Sequence, residues 1–227
     1  MSNGSQIFKT MTFFLQWIFR RTMTFHHNAF CLDFKRLFCV GGSCKNTFNQ
    51  DGSSVEMIGA EHSPGIEVMT GSLGQGLSQA AGLAMARKRR GESGRVWVFM
   101  SDGELQSGQN WEAMQAIAFH RLDNLRIIVD VNQQQCDGAV DQVMKTEPLD
   151  ERLAAFGARV RRVDGHNIEQ LAELAELKPD GRPLVILADT DPCAGIELLQ
   201  ARAPKLHYIR FSSPEEQQTF AAALAEL

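Results

Sequence analysis

From about Asp51 onward the chain alternates between two hydrophobic periods. Short runs of β-branched and aromatic residues bounded by Gly or polar turns read as strands, and apolar residues recurring at helical spacing read as helices. The predicted strands are Arg95–Met100 (RVWVFM), Leu125–Val131 (LRIIVDV), Ala158–Val163 and Leu184–Ala188 (LVILA). The predicted helices are Leu73–Arg90, Gln109–Arg121, Leu149–Phe156, Ile168–Leu177 and Pro214–Leu227. In the second of these, Trp111, Met114, Ile117 and Ala118 form one apolar stripe. The last opens with Ser213 as N-cap and Glu215 and Glu216 in its first turn, where carboxylates complement the helix dipole. Strands alternating with helices imply parallel βαβ units. Near-continuous apolar strands imply burial on both sides. The expected fold class is α/β, a parallel sheet with helices on both faces.

Residues 1–50 read differently. They are dense in Phe, Cys, Arg and His and lack sustained periodicity or clear turn signals. The expected organisation is a divergent or poorly ordered segment over 1–50 and one domain over 51–227. Met11–Phe19 is apolar but too short to span a bilayer. Arg20 and Arg21 follow it, the reverse of a signal peptide's order, so a cytoplasmic location is expected. A net charge of −4 gives no pull toward nucleic acid or anionic membrane. The basic run Arg87–Arg90 ends a predicted helix, where cations suit the dipole. The five cysteines are odd in number and match no zinc ligand spacing, so they read as free thiols in a reducing compartment.

In an open parallel sheet, ligands bind beyond the carboxyl ends of the strands. Three polar clusters lie at such ends: Ser101-Asp102-Gly103-Glu104, Asn132-Gln133-Gln134, and Thr190-Asp191. Asp102 and Asn132 are one strand–helix–strand unit apart, so their side chains can be neighbours. A carboxylate and an amide oxygen are hard donors that suit Mg²⁺ or Ca²⁺, and Mg²⁺ completes its shell with phosphate oxygens and water. Gly103 would let the backbone approach a phosphate closely. Asp-Gly is also a common turn dipeptide, and on spacing alone both readings stand. Thr70-Gly71-Ser72-Leu73-Gly74-Gln75-Gly76 opens the first predicted helix, where glycines could admit a flat ligand or an anion, or serve close helix packing.

Taken together, these stretches resemble the N-terminal half of transketolases. The resemblance rests on Pro64-Gly65-Ile66-Glu67-Val68-Met69-Thr70-Gly71-Ser72-Leu73-Gly74-Gln75-Gly76-Leu77-Ser78. It continues through Asp102-Gly103-Glu104-Leu105-Gln106, Trp111-Glu112-Ala113, Leu122-Asp123-Asn124-Leu125, Val129-Asp130, Asn132, Asp137-Gly138 and Val163-Asp164-Gly165-His166, over roughly residues 47–190. The length resembles the split transketolases, whose two halves are separate chains. The resemblance implies a thiamine diphosphate-binding, PP-type domain using Mg²⁺ (or Ca²⁺). It implies two-carbon ketol transfer between sugar phosphates, completed by a transketolase-like C-terminal subunit, with self-association across the cofactor interface. By the same resemblance, Asp102, Asn132 and the main-chain carbonyl of Gln134 are the metal ligands, and Gly103 meets the diphosphate. Gly71 and Leu73 line the aminopyrimidine and thiazolium region, and Glu112 links paired sites. His62 and His207 stand where substrate- or diphosphate-facing histidines are expected, while His166 closes a turn. No nucleic acid or membrane partner is expected.

The chain also departs from the family pattern. Residues 1–50 contain neither the Gly-His-Pro nor the Gly-His-Ala motif. The glycine before Asp102 is Ser101, an acidic position is Ser107, and the Lys-Gly-x-Gly after the last strand is replaced by Asp191-Pro192-Cys193-Ala194-Gly195. The alternative reading is a degenerate, catalytically inactive transketolase-like chain with a binding or scaffold role.

Overall fold

The structure, a computed structural model, describes residues 72–195, 197–203, 206 and 211–225. The segment expected over 1–50, and His62, Gly71 and His207, lie outside the described residues. In chain order the elements are α1 (Gln75–Arg89), β1 (Val96–Ser101), α2 (Gly108–Phe119), β2 (Leu125–Val131), β3 (Gln134–Gln135), β4 (Gly138–Ala139), α3 (Val140–Val143), α4 (Leu149–Ala155), β5 (Arg159–Asp164), α5 (Ile168–Ala175), β6 (Leu184–Asp189) and α6 (Pro214–Ala225). Short 3₁₀ turns occupy Gly103–Gln106 and Glu197–Arg202.

Four strands form one sheet in the order β1-β2-β6-β5, all parallel. The central strands β2 and β6 are apolar because both of their faces are covered, and every residue of β2 is buried. Alternation within them sorts side chains to opposite faces. Ile127, Val129 and Val131 join Val185 and Leu187 against α1, α2 and α4. Ile128, Ile186 and Ala188 point the other way, against Leu171 of α5. The expected parallel sheet with helices on both faces is therefore observed. Fully buried side chains such as Leu77, Met114, Ile117 and Leu153 each stabilise the fold by roughly 1.5–3 kcal/mol relative to exposure. At one edge, β5 exposes Arg161 and Arg162, charges that discourage pairing with another chain.

Charged residues at the opposite ends of the strands fix α5. Arg126, 1% exposed, donates to the Leu177 and Asp123 carbonyls, each at 2.8 Å. Arg95 donates to Ala175 O at 2.9 Å and Arg159 to Lys178 O at 3.2 Å. Three arginines thus satisfy carbonyls at or just beyond a helix C-terminus that would otherwise lack donors. Burial, aided by the nearby Arg95, lowers the Arg126 guanidinium to about 10, which leaves it charged at neutral pH.

Observed boundaries lie close to the expected ones. The first helix starts at Gln75 rather than Leu73, because Gly74 sits in the left-handed region at φ 87°. The basic run has the structural role expected of it. Arg90 caps α1, Lys88 Nζ meets Asp123 Oδ1 at 2.8 Å, and Arg87 donates to Ser93 O at 2.9 Å. Cys136 and Cys193 are free thiols, and the other three cysteines lie outside the described residues. Among the described residues, no helix is long and apolar enough to cross a membrane.

Candidate functional site

Strand ends build the site. Register pairs Ser101 with Asp130, and Val131 with Asp189, so β1, β2 and β6 terminate together. Asp102 follows β1 directly and is 2% exposed. Its Oδ1 accepts from the Gly103 amide at 2.8 Å, and its Oδ2 from the Gln133 amide at 2.8 Å. The second bond crosses from the end of β1 to the loop after β2. Burial pushes the Asp102 carboxyl up to about 6, against the pull of these two amide donors.

Asn132 lies beside it, one residue past β2. Its Oδ1 accepts from the Gln134 amide at 2.9 Å, and its Nδ2 donates to Asp130 Oδ2 at 2.9 Å. Asp130 is itself buried and takes a second donor, the Thr190 hydroxyl, from the end of β6. The carboxyl is raised above its ordinary value by burial, an effect that both hydrogen bonds oppose.

Beyond Asn132 the chain makes a small antiparallel hairpin, β3 against β4. It lies tightly over the Asp102–Gly103 turn. A β-carbon on Gly103 would stand 2.9 Å from Gln135 Cβ and 3.7 Å from Gln134 O. Glycine is required there by that close approach. The side-chain Oε1 of Gln134 is buried and has no hydrogen-bond partner among the described residues.

Glu104 ties in the other half of the site. Its Oε1 accepts from the Gly74 amide at 3.0 Å, so a carboxylate from the β1 turn caps the start of α1. Gln75 Nε2 donates to Gln109 Oε1 at 2.9 Å, joining α1 to α2. Leu73 stands exposed beside this joint at 59%. Glu112 is exposed on α2 and is not part of the Asp102–Asn132 hydrogen-bond cluster.

Residues 47–196 match the family described as "Transketolase, thiamine diphosphate binding domain". The chain belongs to this transketolase family. It is 41% identical over 146 residues to one subunit of the apulose-4-phosphate transketolase of Actinobacillus succinogenes, covering 64% of this chain and 52% of that one. It is 33% identical over 165 residues to a 6-deoxy-6-sulfo-D-fructose transketolase subunit of a Clostridium species, covering 72% and 58%. The chain thus spans little more than half the length of these relatives. Among solved structures, the transketolase of Campylobacter jejuni superposes with a TM-score of 0.64 at 30% identity, over 68% of this chain and 26% of that one.

Two of this transketolase-family chain's departures from the pattern are accommodated locally. Ser101 Oγ accepts from the Glu104 amide at 3.2 Å, so the extra hydroxyl caps the turn where a glycine would leave it bare. Asp191 makes a turn of its own, accepting from the Cys193 amide at 2.8 Å, while its own amide donates to His166 Nε2 at 2.9 Å. The His166 ring therefore holds the loop after β6, and Asn167 caps α5. Asp102 and Gly103 meet the Asn132–Gln135 loop through the Gln133 amide and the close approach of Gln134 and Gln135. Asp130 and Glu104 are visible in the sequence only as part of the matching stretches, with no role attached. A carboxylate inside the apolar strand LRIIVDV is nevertheless a signal, because a buried charge needs partners.

Proposed function

We propose that this chain is the diphosphate-binding, N-terminal subunit of a split transketolase, catalysing two-carbon ketol transfer between sugar phosphates in the cytoplasm together with a separate C-terminal subunit. The observation that carries this reading is the joining of two strand ends by Asp102. Its carboxylate bridges the Gly103 turn and the Gln133 amide, next to Asn132. The donor set suits Mg²⁺, or Ca²⁺: one carboxylate, one amide oxygen and one main-chain carbonyl, with phosphate oxygens left to complete the shell. Among the described residues there is no cluster of three His, Cys, Asp or Glu, so a zinc-type site is not the basis of this reading. Two further observations fit a bound, charged group. Asp102 is held up near 6 by burial, a cost that an adjacent cation would offset. The buried Gln134 Oε1 is an acceptor that has no donor among the described residues.

In this reading Asp102, Asn132 and the Gln134 carbonyl would hold the cation, and the Gly103 turn would face the diphosphate. When bound, thiamine diphosphate supplies the nucleophilic carbon that accepts and releases the two-carbon unit. The rest is the protein's work. Asp102 and Asn132 would fix the anchor, and the hairpin Gln134–Ala139 packs over the Gly103 turn beside it. Leu73, just before α1, and Gly71, outside the described residues, would contact the rings. His62 and His207 are the candidate substrate-facing groups. Glu112, exposed on α2, is the candidate link to a second copy of the chain. The relatives named as subunits support a partner chain completing the site.

Calorimetry tests this directly, with thiamine diphosphate and Mg²⁺ added to the chain alone and to the chain mixed with a transketolase-like C-terminal subunit. Mg²⁺-dependent binding that is lost in Asp102→Ala is the expected result. No heat of binding in either preparation would refute the proposal.

A further inference from the structure

Asn132 is useful to a cation only if its amide oxygen, not its NH₂, faces the metal position. The two orientations have nearly the same shape, so packing alone selects weakly between them, and hydrogen-bond partners must choose. We infer that Asp130 is a positioning residue that makes this choice together with the Gln134 amide. Both Asp130 oxygens act as acceptors here, and Oδ2 takes the Asn132 Nδ2 hydrogen at 2.9 Å. That bond turns Oδ1 away from Asp130 and toward the Gln134 amide, which it meets at 2.9 Å. An amide oxygen has a second lone pair, and the Asp102–Gly103 turn packs against this same loop, where Asp102 Oδ2 accepts from the Gln133 amide and Gly103 lies close under Gln134 and Gln135.

Asp130 is in turn locked by the Thr190 hydroxyl, which donates to Oδ1 from the end of β6. The carboxylate is only 9% exposed. Burying a carboxylate is costly unless it is satisfied, and here both oxygens are satisfied by groups at the ends of two neighbouring strands. The unit Thr190–Asp130–Asn132 therefore sets the amide from β6 through β2. It has the logic of an outer-shell partner that orients a ligand without touching the metal.

The inference rests on the proposed cation site, and its test separates the two. Mn²⁺ affinity is measured by electron paramagnetic resonance at saturating thiamine diphosphate, in the full chain assembled with the C-terminal subunit. Circular dichroism and thermal melting of each variant confirm folding. Asp130→Leu should weaken Mn²⁺ by about 10–100-fold, the usual cost of losing such a partner. Asp130→Asn should recover most of that loss. Its oxygen can still accept from Asn132 and its NH₂ can donate to Thr190. Thr190→Val should fall between the two. If Asp130→Leu binds Mn²⁺ within about 3-fold of the parent while Asn132→Ala does not, the positioning role is refuted but the site stands. If Asp130→Asn is as weak as Asp130→Leu, the residue acts by charge and the orienting role is refuted. If the parent itself binds no Mn²⁺, the cation site falls, and this inference with it.

Discussion

Gly165→Ala should cost this fold about 2 kcal/mol, a value that follows from the contact between the ends of β5 and β6. An added β-carbon would fall onto the Thr190 γ-methyl and lie 2.8 Å from the Asp189 carbonyl oxygen. The carbonyl is backbone and cannot rotate aside, so the two strand ends must part. Their junction is held by the Gly165 amide donating to Asp189 O at 2.7 Å. Weakening that bond costs about 1 kcal/mol net. The methyl could swing away only by turning χ1 of Thr190, which would pull its hydroxyl from Asp130. That, or the overpacking it avoids, adds roughly 1–3 kcal/mol. Against this, Ala restricts the unfolded chain and returns about 0.4–1 kcal/mol. Urea unfolding of the full chain, with slopes compared to check that the unfolded states match, reads the difference as a midpoint shift. Thr190→Ser removes the offending methyl and keeps the hydroxyl. In a double-mutant cycle it should couple to Gly165→Ala by about 1 kcal/mol, relieving the methyl share and leaving the carbonyl share. A Gly165→Ala variant within ~0.5 kcal/mol of the parent, or a cycle with no coupling, would show that the strand ends are looser than described.

Three further outcomes follow from other contacts. Arg162 grips Asp189 and Glu147, at 2.8 and 2.7 Å, and its hydrogen bond to Glu147 is the main reason that carboxyl titrates below its ordinary value. A depressed carboxyl contributes stability above its unfolded pKa that is lost as pH falls through the folded one. Arg162→Met should therefore be less stable than the parent by about 0.5–1 kcal/mol at pH 7, discounted for partial exposure, with the gap closing below roughly pH 4 in acid-unfolding curves. A gap that stays constant with pH would contradict this. Glu104→Ala removes the acceptor of the Gly74 amide and should cost about 1 kcal/mol, with faster amide exchange in the first turn of α1. Glu104→Gln keeps an acceptor and should lie closer to the parent in both measurements. Arg126→Met leaves the part-buried carbonyls of Asp123 and Leu177 without this donor and should lower stability by about 2 kcal/mol in urea unfolding. A smaller loss would mean that water reaches those carbonyls.

How much of this is legible in the sequence depends on how local the cause is. Leu125–Val131 can be read to the residue, because a strand buried on both faces leaves a continuous apolar run with sharp polar ends. The apolar spacing places the start of α1 two residues early, since it gives no sign that Gly74 takes a positive φ. The hairpin at Gln134–Ala139 cannot be read at all, because strands of two residues have no period. It nevertheless shapes the candidate site. It lies over Gly103 and carries the carbonyl of Gln134. The strand order β1-β2-β6-β5 is likewise a tertiary fact, set by which faces α1, α2, α4 and α5 cover.

The site divides along the same line. Asp102 and Asn132 are visible from sequence because a general rule says where to look: past the carboxyl ends of parallel strands. Asp130 lies inside its strand, where that rule does not reach, and apolar periodicity treats it only as an interruption. What marks it is energetic rather than positional. A carboxylate among Ile127, Ile128, Val129 and Val131 is tolerable only if groups beyond its own strand satisfy it. In this fold those groups are the amide at the end of β2 and the hydroxyl at the end of β6, so the residue least expected in a core strand is the one that couples two strand ends of the candidate site.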